Sequence, residues 1–153
     1  MTQVEPSERD AGVFIELISH FFSVTGGAKP ELLPPSLELQ VPDKLASTGY
    51  MPVRGSLNGW IAVSLPDAMI DHLLDAVGEE RRDEAVRLDL TGEMVNVITS
   101  NARAHFGARL HVEPPIATRD RGTPGHLPAT SLSFKLPFRW KGDDAFLLLA
   151  LQN

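Results

Sequence analysis

Three polar residues at helical spacing, Asp89, Glu93 and Asn96, are the residues of this sequence whose types and positions best suit chemistry. Positions i, i+4 and i+7 of a helix lie on one face, because successive side chains turn by about 100°. Ser100 and Arg103 extend this polar stripe by two turns. A carboxylate and an amide held one turn apart on a rigid helix can enter a partner's cleft together. The spacing permits a site without requiring one, since a polar stripe is also typical of a solvated helix face.

The helix that carries the polar stripe is predicted to run from about Glu84 to Phe106 and to end at Gly107. Its far side is apolar, as a helix that packs on a core requires. We therefore expect Glu93 and Asn96 on the solvent side of one continuous helix. The apolar side comprises Leu90, Met94, Val97 and Ile98, with Leu88, Val95 and Phe106 along one margin, and we expect Met94 and Ile98 to be buried.

The segment Gly92-Glu-Met-Val-Asn-Val-Ile-Thr-Ser-Asn-Ala102 resembles the Glu-x-x-Asn signature of the chemotaxis phosphatases of the CheC/CheX/FliY group. In that group an Asp or Ser precedes the Glu by four residues, the place that Asp89 fills here. A Pro follows the Asn by about two dozen residues, and Pro114-Pro115 comes several residues early, so we expect a shorter loop. The segments Gly59-Trp-Ile-Ala-Val-Ser-Leu-Pro66 and Pro114-Pro-Ile-Ala117 also match the group.

The resemblance implies a phosphatase that acts on the aspartyl phosphate of a CheY-like response-regulator receiver domain. Asn96 would orient the attacking water, Glu93 would pair with a lysine of the receiver, and Asp89 would support the rim. Ser100 and Arg103 would add contacts with the partner. The chain would need no cofactor of its own, because Mg²⁺ is expected in the partner receiver. The CheX branch includes dimers, so a homodimer is expected, with a monomer as the alternative.

Two other classes of function remain open on the sequence. The same helix would also suit a receiver-binding or assembly module without catalysis, and a small-ligand sensor is a third class, although no cofactor-like motif supports it. The discriminating observation is the state of Asn96. If its amide is buried and fully hydrogen-bonded inside the domain, the catalytic interpretation weakens sharply.

Composition narrows the classes of partner and chemistry. The chain has 153 residues, which suits a single domain over 1–153 with a flexible N-terminus at 1–10. It has no cysteine, which excludes disulfides and thiol catalysis, and a net charge of −6 argues against nucleic acid and anionic membranes as partners. No apolar run suits a membrane span, the N-terminus is unlike a secretory signal, and we expect a cytoplasmic protein. The histidines have no metal-ligand spacing; they are His20, His72, His105, His111 and His126.

The first half of the chain predicts a helix, a short strand, a hairpin and a short helix. The first helix should run from about Ala11 to Thr25, with Asp10 as its N-cap and Gly26-Gly27 as its end. A proline-rich connection leads to a short strand in which Leu37, Leu39 and Val41 alternate. The predicted hairpin joins Tyr50–Leu57 to Trp60–Leu65 through a type I′ turn at Asn58-Gly59, and Asp67 is predicted to cap a short helix that carries Met69, Ile70, Leu73, Leu74 and Val77 and ends at Gly78.

The last third predicts strands. One should run from Leu110 to Ile116, and another should place Leu132, Phe134, Leu136 and Phe138 on alternating positions, with Pro137 indicating an edge or a bulge. A turn at 141–144 then leads into Phe146–Leu151. The charged segment Arg119-Asp-Arg121 between these strands suits a solubilising loop, with contact to an acidic partner as the alternative.

The two halves of the chain look alike, since each has a helix, a strand and then a strand pair that ends in an apolar run. We therefore predict an α/β fold of the α+β type, in which pseudo-repeated units form an antiparallel sheet packed against two long helices. The first helix offers Gly12, Glu16 and Ser19 where the long helix has Asp89, Glu93 and Asn96. Ser19 is too short to project an amide, so one site is expected rather than two.

Overall fold

A computed structural model describes residues 8–128 and 132–152 of the chain. The helices are α1 (Glu8–Gly26), α2 (Asp67–Ala76) and α3 (Glu84–Phe106), and a short 3-10 turn follows at Gly107–Arg109. The strands are β1 (Glu31–Leu32), β2 (Ser36–Glu38), β3 (Ser47–Arg54), β4 (Asn58–Leu65), β5 (His111–Val112), β6 (Ile116–Thr118), β7 (Ser133–Trp140) and β8 (Asp143–Gln152). Most of the expected flexible N-terminus lies outside the described residues, but residues 8–10 already belong to α1.

One antiparallel sheet contains all of the described strands, in the order β1-β7-β8-β4-β3-β5, with β2 also paired to β7 and β6 also paired to β3. The long strands β8 and β4 meet at its centre, where Trp60 lies opposite Ala150. On one side of this centre stand β7 and then the short β1 and β2. On the other side stand β3 and then the short β5 and β6, so the sheet is nearly symmetric about its middle.

The symmetry of the sheet comes from two equivalent halves of the chain. Each half has a long helix, two short strands and a hairpin of two long strands. A Pro-Pro pair separates the two short strands in both halves, Pro34-Pro35 in the first and Pro114-Pro115 in the second. The predicted fold class is therefore confirmed, and α2 is the element that the first half contributes without a counterpart in the second.

Both faces of the sheet are buried, which explains why the central strands are apolar without alternation. The three helices cover one face, where Ile61, Val63 and Leu147 belong to the main core. Loops cover the other face, where Tyr50, Trp60 and other buried residues form a second cluster that also contacts Val41, Leu45 and Ile116. No pattern in the sequence predicts this second layer.

The predicted turn of the first hairpin is wrong. Val53 pairs with Gly59, so β4 begins at Asn58 and the turn lies in residues 55–57. Gly59 has a φ of 134°, and a Cβ atom there would lie 1.8 Å from the carbonyl oxygen of Ala150 on β8. Glycine is needed at this position because the neighbouring backbone approaches closely, not because the chain turns. The two-residue turn with positive φ at both positions is Lys141-Gly142, between β7 and β8.

Prolines change two of the predicted strands. The segment predicted as one strand from Leu110 to Ile116 is divided into β5 and β6, because Pro114 and Pro115 have no N–H to donate to a ladder. Pro137 lies in β7, which is not an edge strand, since β8 pairs with it on one side and β1 and β2 pair with it on the other. Pro137 falls in the interval between β1 and β2, where its carbonyl accepts from Leu33 N at 3.0 Å.

The two predicted N-caps, Asp10 and Asp67, are also wrong. Two details of the predicted apolar pattern, one in the short strand and one in α2, are wrong as well. Asp10 lies within α1, and its carboxylate contacts His105 Nε2 at 2.9 Å. Asp67 is the first residue of α2, whose N-cap is Pro66. The short strand ends at Glu38, so Leu39 and Val41 lie outside it, and Val77, predicted on the apolar face of α2, is exposed.

None of the helices within 8–128 and 132–152 is long and apolar enough to cross a membrane.

Candidate functional site

The helix α3 has the predicted bounds and is continuous through the polar stripe. Its N-cap is Asp83, whose side chain accepts from Val86 N at 3.0 Å, and its end is Gly107, with a φ of 61°. Met94 and Ile98 are buried, as predicted, at 0% and 1% exposure. The fold therefore fixes the register of α3 on the sheet and directs the opposite side of the helix to solvent.

The polar stripe lies on that solvent side. Asp89, Glu93, Ser100 and Arg103 are exposed, and Asn96 is half-buried. Within the described part of the chain, the side chains of Asp89, Glu93 and Asn96 have no hydrogen-bond or ion-pair partner. The carboxylates and the amide are therefore free to bind groups of another molecule. The Asn96 amide is not buried and fully hydrogen-bonded within this part of the domain, which is the state that would have weakened a catalytic role.

An open groove of about 550 Å³ runs beside the N-terminal half of α3. One wall is α3, which contributes Asp89 and Glu93, and the other wall is Pro115 and Ala117, at and just before β6. The remaining lining residues are Ala85, Leu88 and Gly92. The structure thus brings the predicted Pro114-Pro115 segment next to the acids of the motif. Asn96 lies one turn beyond the end of the groove, and Ser100 and Arg103 lie farther along the helix.

Two glycines allow this arrangement of α3. Gly49 of β3 lies directly beneath the helix, where a Cβ atom would be 2.8 Å from the carbonyl oxygen of Thr91 and 3.0 Å from Val95. Gly92 is buried on the side of α3 that faces β6, and a Cβ atom there would be 3.7 Å from Ala117. The first glycine lets the helix sit close to the sheet, and the second leaves the floor of the groove open.

Arg119, which directly follows the strand wall of the groove, is paired with Asp67, and sequence reasoning missed this pair. Arg119 donates to both carboxylate oxygens of Asp67, at 2.6 and 3.0 Å, and to Ser47 Oγ at 3.0 Å. The hydrogen bond from Arg119 lowers the pKa of Asp67, and the same bond raises the pKa of Arg119. Within the segment Arg119-Asp-Arg121, Asp120 and Arg121 are exposed, whereas Arg119 is half-buried and its guanidinium is bound within the domain. A guanidinium that donates two parallel hydrogen bonds to one carboxylate identifies such a pair in a structure. The pair cannot be recognised in the sequence, because its two residues are far apart along the chain.

The equivalent face of α1 has a related but simpler pattern. Glu16 is exposed, as Glu93 is, and Ser19 is half-buried, as Asn96 is. Gly12 stands in the place of Asp89. This face has one carboxylate and no amide. The spacing and exposure of the α3 motif therefore recur in α1, but the amide and the second carboxylate do not.

Metal chemistry has no cluster to support it in the described ranges, where no group of three or more His, Cys, Asp or Glu side chains is placed to hold an ion. Asp89 and Glu93 are two carboxylates on an exposed helix face, fewer than the protein ligands that a zinc site uses. What the arrangement offers is a free amide and two free carboxylates beside a groove with apolar walls.

Comparison with known proteins agrees with the sequence motif. A family model described as chemotaxis phosphatase CheX matches residues 47–139, which is more than half of the chain. No curated protein matches the sequence. Among solved structures, chemotaxis protein CheX from Desulfovibrio desulfuricans is 20% identical, with a TM-score of 0.80 over 94% of this chain and 99% of that one.

Two further structures are similar in fold. Chemotaxis protein CheX from Vibrio vulnificus is 15% identical, with a TM-score of 0.78 over 94% of this chain and 99% of that chain. CheX from Borrelia burgdorferi, solved in complex with CheY, BeF3 and Mg²⁺, is also 15% identical, with a TM-score of 0.73 over 94% of this chain and 97% of that chain. At these identities the structural matches establish the fold.

Proposed function

The chain belongs to the CheX family of chemotaxis phosphatases, and from this premise we propose that it accelerates hydrolysis of the aspartyl phosphate on a CheY-like receiver domain. The observation that carries the proposal is the state of Glu93 and Asn96. Both lie one turn apart on the solvent side of a continuous helix, and neither has a partner within the described residues. The similar CheX from Borrelia burgdorferi has been solved with CheY, which supports a receiver as the partner.

The proposed reaction needs positioning rather than a nucleophile from this chain. A water oxygen attacks phosphorus in line, the bond between phosphorus and the aspartyl oxygen breaks, and the electron pair of that bond returns to the aspartate. Both protons of the water leave with the released phosphate. Mg²⁺, expected in the receiver, would neutralise charge on the phosphoryl oxygens. The side-chain amide of Asn96 would hold the water in line by hydrogen bonding. Hydrolysis of a labile acyl phosphate requires this positioning of the water.

Glu93 is assigned to docking. Its exposed carboxylate would pair with a lysine of the receiver and fix the register of α3 against the receiver's active site. An exposed Glu–Lys pair contributes only about 0.2–1 kcal/mol, whereas truncation of one partner of a desolvated interfacial pair costs about 2–5 kcal/mol. The contribution of Glu93 to the binding free energy therefore increases as docking excludes more water from around its carboxylate. Asp89 supports the rim of the same site, and Ser100 and Arg103 extend the contact along the helix.

The test is phosphate release from CheY-like receivers that have been phosphorylated with a small phosphodonor, measured together with binding of each receiver. We expect wild-type protein to accelerate release from one of these receivers. Asn96→Ala should lower kcat by about 10²–10³-fold and leave binding nearly intact, because the amide acts on water in the transition state. Glu93→Ala should weaken binding and slow turnover together.

Matched controls separate these roles from general damage to the helix. Asn101 is an exposed amide on α3 outside the polar stripe, so Asn101→Ala should keep wild-type kcat. Ser19→Ala should also do little, since the first helix offers no amide. If Asn96→Ala keeps wild-type turnover with a receiver that the protein does dephosphorylate, the water-positioning role is wrong. If the protein binds a phosphorylated receiver without accelerating release, it is a non-catalytic receiver-binding module. The homodimer stays a prediction, which sedimentation across a range of concentrations tests.

A further inference from the structure

Helix α2 presents three aspartates at one-turn intervals, and each contacts an arginine from another segment. Asp67 accepts from Arg119, and Asp71 accepts from Nε and Nη2 of Arg87 at 3.0 and 3.2 Å. Asp75 contacts Arg82. Because positions i, i+4 and i+8 of a helix lie within one stripe, the three pairs form a row along one side of α2.

Two of these pairs reach the two walls of the groove described above. Arg87 belongs to α3 and precedes Asp89 by two residues. Arg119 directly follows β6, which carries Ala117, and it also donates to Ser47 on β3. The row on α2 therefore holds the helix wall through Asp71 and the strand wall through Asp67. The third pair, of Asp75 with Arg82, lies before α3 begins and touches neither wall.

The strand wall is further held by the packing of Ile116 on the second cluster and by backbone hydrogen bonds on either side of β6, from Glu113 N to Pro52 O and from Lys44 N to Arg121 O. β6 pairs with β3 over three residues, Thr48 with Thr118, Gly49 with Ala117 and Tyr50 with Ile116. It lies at the edge of the sheet, and the two prolines before it cannot donate backbone hydrogen bonds. A short edge strand of this kind shifts easily, so a bidentate ion pair at its end fixes its position relative to α3.

The pairs are too exposed for a large role in stability. The side chains of Arg119 and Asp67 are 31% and 38% exposed, and those of Arg87 and Asp71 are 22% and 35% exposed. Ion pairs at such positions contribute little to the free energy of unfolding. The same pairs have more effect on the width of the groove, because they connect α2 directly to α3 and to the end of a three-residue edge strand.

We propose that α2 acts as a clamp that holds the groove at a fixed width, with Asp67, Arg119, Asp71 and Arg87 as positioning residues for docking of the receiver. This inference rests on the proposed function, since it assigns the groove to the receiver. Loosening the clamp lets Pro115 and Ala117 move relative to Asp89 and Glu93, and the receiver then loses part of its contact. Asn96 lies beyond the groove, so water positioning in the docked complex is unaffected.

The kinetic test uses Asp67→Asn, Arg119→Gln and the double variant. Each single variant should raise KM for the phosphorylated receiver about two- to five-fold and leave kcat unchanged. The KM of the double variant should be no higher than that of the more affected single variant, because both changes remove the same ion pair between Asp67 and Arg119. Arg119→Lys should recover part of the effect. A fall in kcat at constant KM, or additive effects of the two single changes, would overturn the clamp.

The matched control is the bidentate pair of Arg139 with Asp144, which joins β7 and β8 away from the groove at 2.6 and 3.3 Å. Arg139→Gln and Asp144→Asn remove an ion pair of the same kind at a more exposed place. Both should leave KM and kcat at wild-type values. An increase in KM equal to that of Arg119→Gln would show that any lost surface pair has this effect, and the proposal would fail.

A distance measurement tests the clamp without a receiver. The chain has no cysteine, so Asn101→Cys and Asp120→Cys place two spin labels uniquely, one on exposed α3 and one just after β6. Asp67→Asn and Arg119→Gln should broaden the distribution of distances between the labels, and Arg139→Gln should not. An unchanged distribution in the clamp variants overturns the clamp. A broadened distribution in a protein that dephosphorylates no receiver supports the clamp and refutes the proposed function alone.

Discussion

The helices α1 and α3 occupy equivalent places in the two halves of the molecule, yet they bury different kinds of side chain. When Gly12, Glu16 and Ser19 are set against Asp89, Glu93 and Asn96, four of the buried positions of the two helices also coincide. At these positions α1 buries large side chains and α3 buries smaller ones. The pairs are Phe14 with Thr91, Ile18 with Val95, Phe21 with Ile98, and Phe22 with Thr99.

This contrast in buried side chains gives the two helices different roles in the fold. Bulky aromatic side chains make α1 an anchor of the core, where Phe22 contacts the rings of Phe138 and Trp140 at centroid distances of 5.3 and 5.0 Å. Smaller side chains let α3 lie close to β3 over Gly49. The position of α3 is then defined by backbone contact as well as by packing, which suits a helix that must present an amide accurately.

The largest expected effect concerns the anchor. Phe22→Ala removes a fully buried ring and should lower the free energy of unfolding by about 3–5 kcal/mol. At the equivalent position of α3, Thr99 Oγ1 is buried and has no hydrogen-bond partner among the described residues. Thr99→Val should therefore raise the free energy of unfolding by about 1 kcal/mol, because an unsatisfied buried hydroxyl is removed. Denaturant unfolding measures both, and equal losses for the two variants would remove the contrast between anchor and site helix.

A smaller effect sharpens the comparison at the two helix glycines. Gly12 of α1 and Gly92 of α3 both stand in helix interiors where a Cβ atom meets no close contact, so alanine should stabilise each helix by about 0.5–1 kcal/mol. Gly92→Ala also raises the floor of the groove and should increase KM for the receiver, whereas Gly12→Ala should not. Thermal unfolding and steady-state kinetics test the pair. An unchanged KM for Gly92→Ala would show that the receiver does not use the groove.

The parts of the fold that could be predicted from sequence are those with strong local signals. The predicted bounds of α3 rest on the helical period and on Gly107, and the observed helix agrees with them. The likeness of the two halves was also visible in the order of apolar segments. The first hairpin turn could not be predicted from local sequence. Gly59 is needed because the backbone of Ala150, on a strand that is distant in sequence, lies close to it.

The contacts between distant segments could not be predicted. Asp67 looks like a helix cap when its neighbours alone are considered, and only the fold brings Arg119 to it. Lys44 looks like a surface residue, yet it is 2% exposed on the second face of the sheet, where its ammonium donates to Thr123 Oγ1 at 3.1 Å and burial lowers its pKa. For the site, the sequence predicted the residues of the stripe but not the groove or the clamp beside them.

The central claim is that the two halves share a fold but only α3 engages the receiver. The most direct measurement follows the backbone amide NMR signals of this 16.7 kDa chain while a CheY-like receiver activated with BeF3 and Mg²⁺ is added. We expect signals to change along residues 85–96 of α3 and along 113–118, at the groove and the motif, and to stay constant along 12–19 and 31–38. Changes centred on α1 and its Pro34-Pro35 segment, or equal changes in both halves, would contradict it.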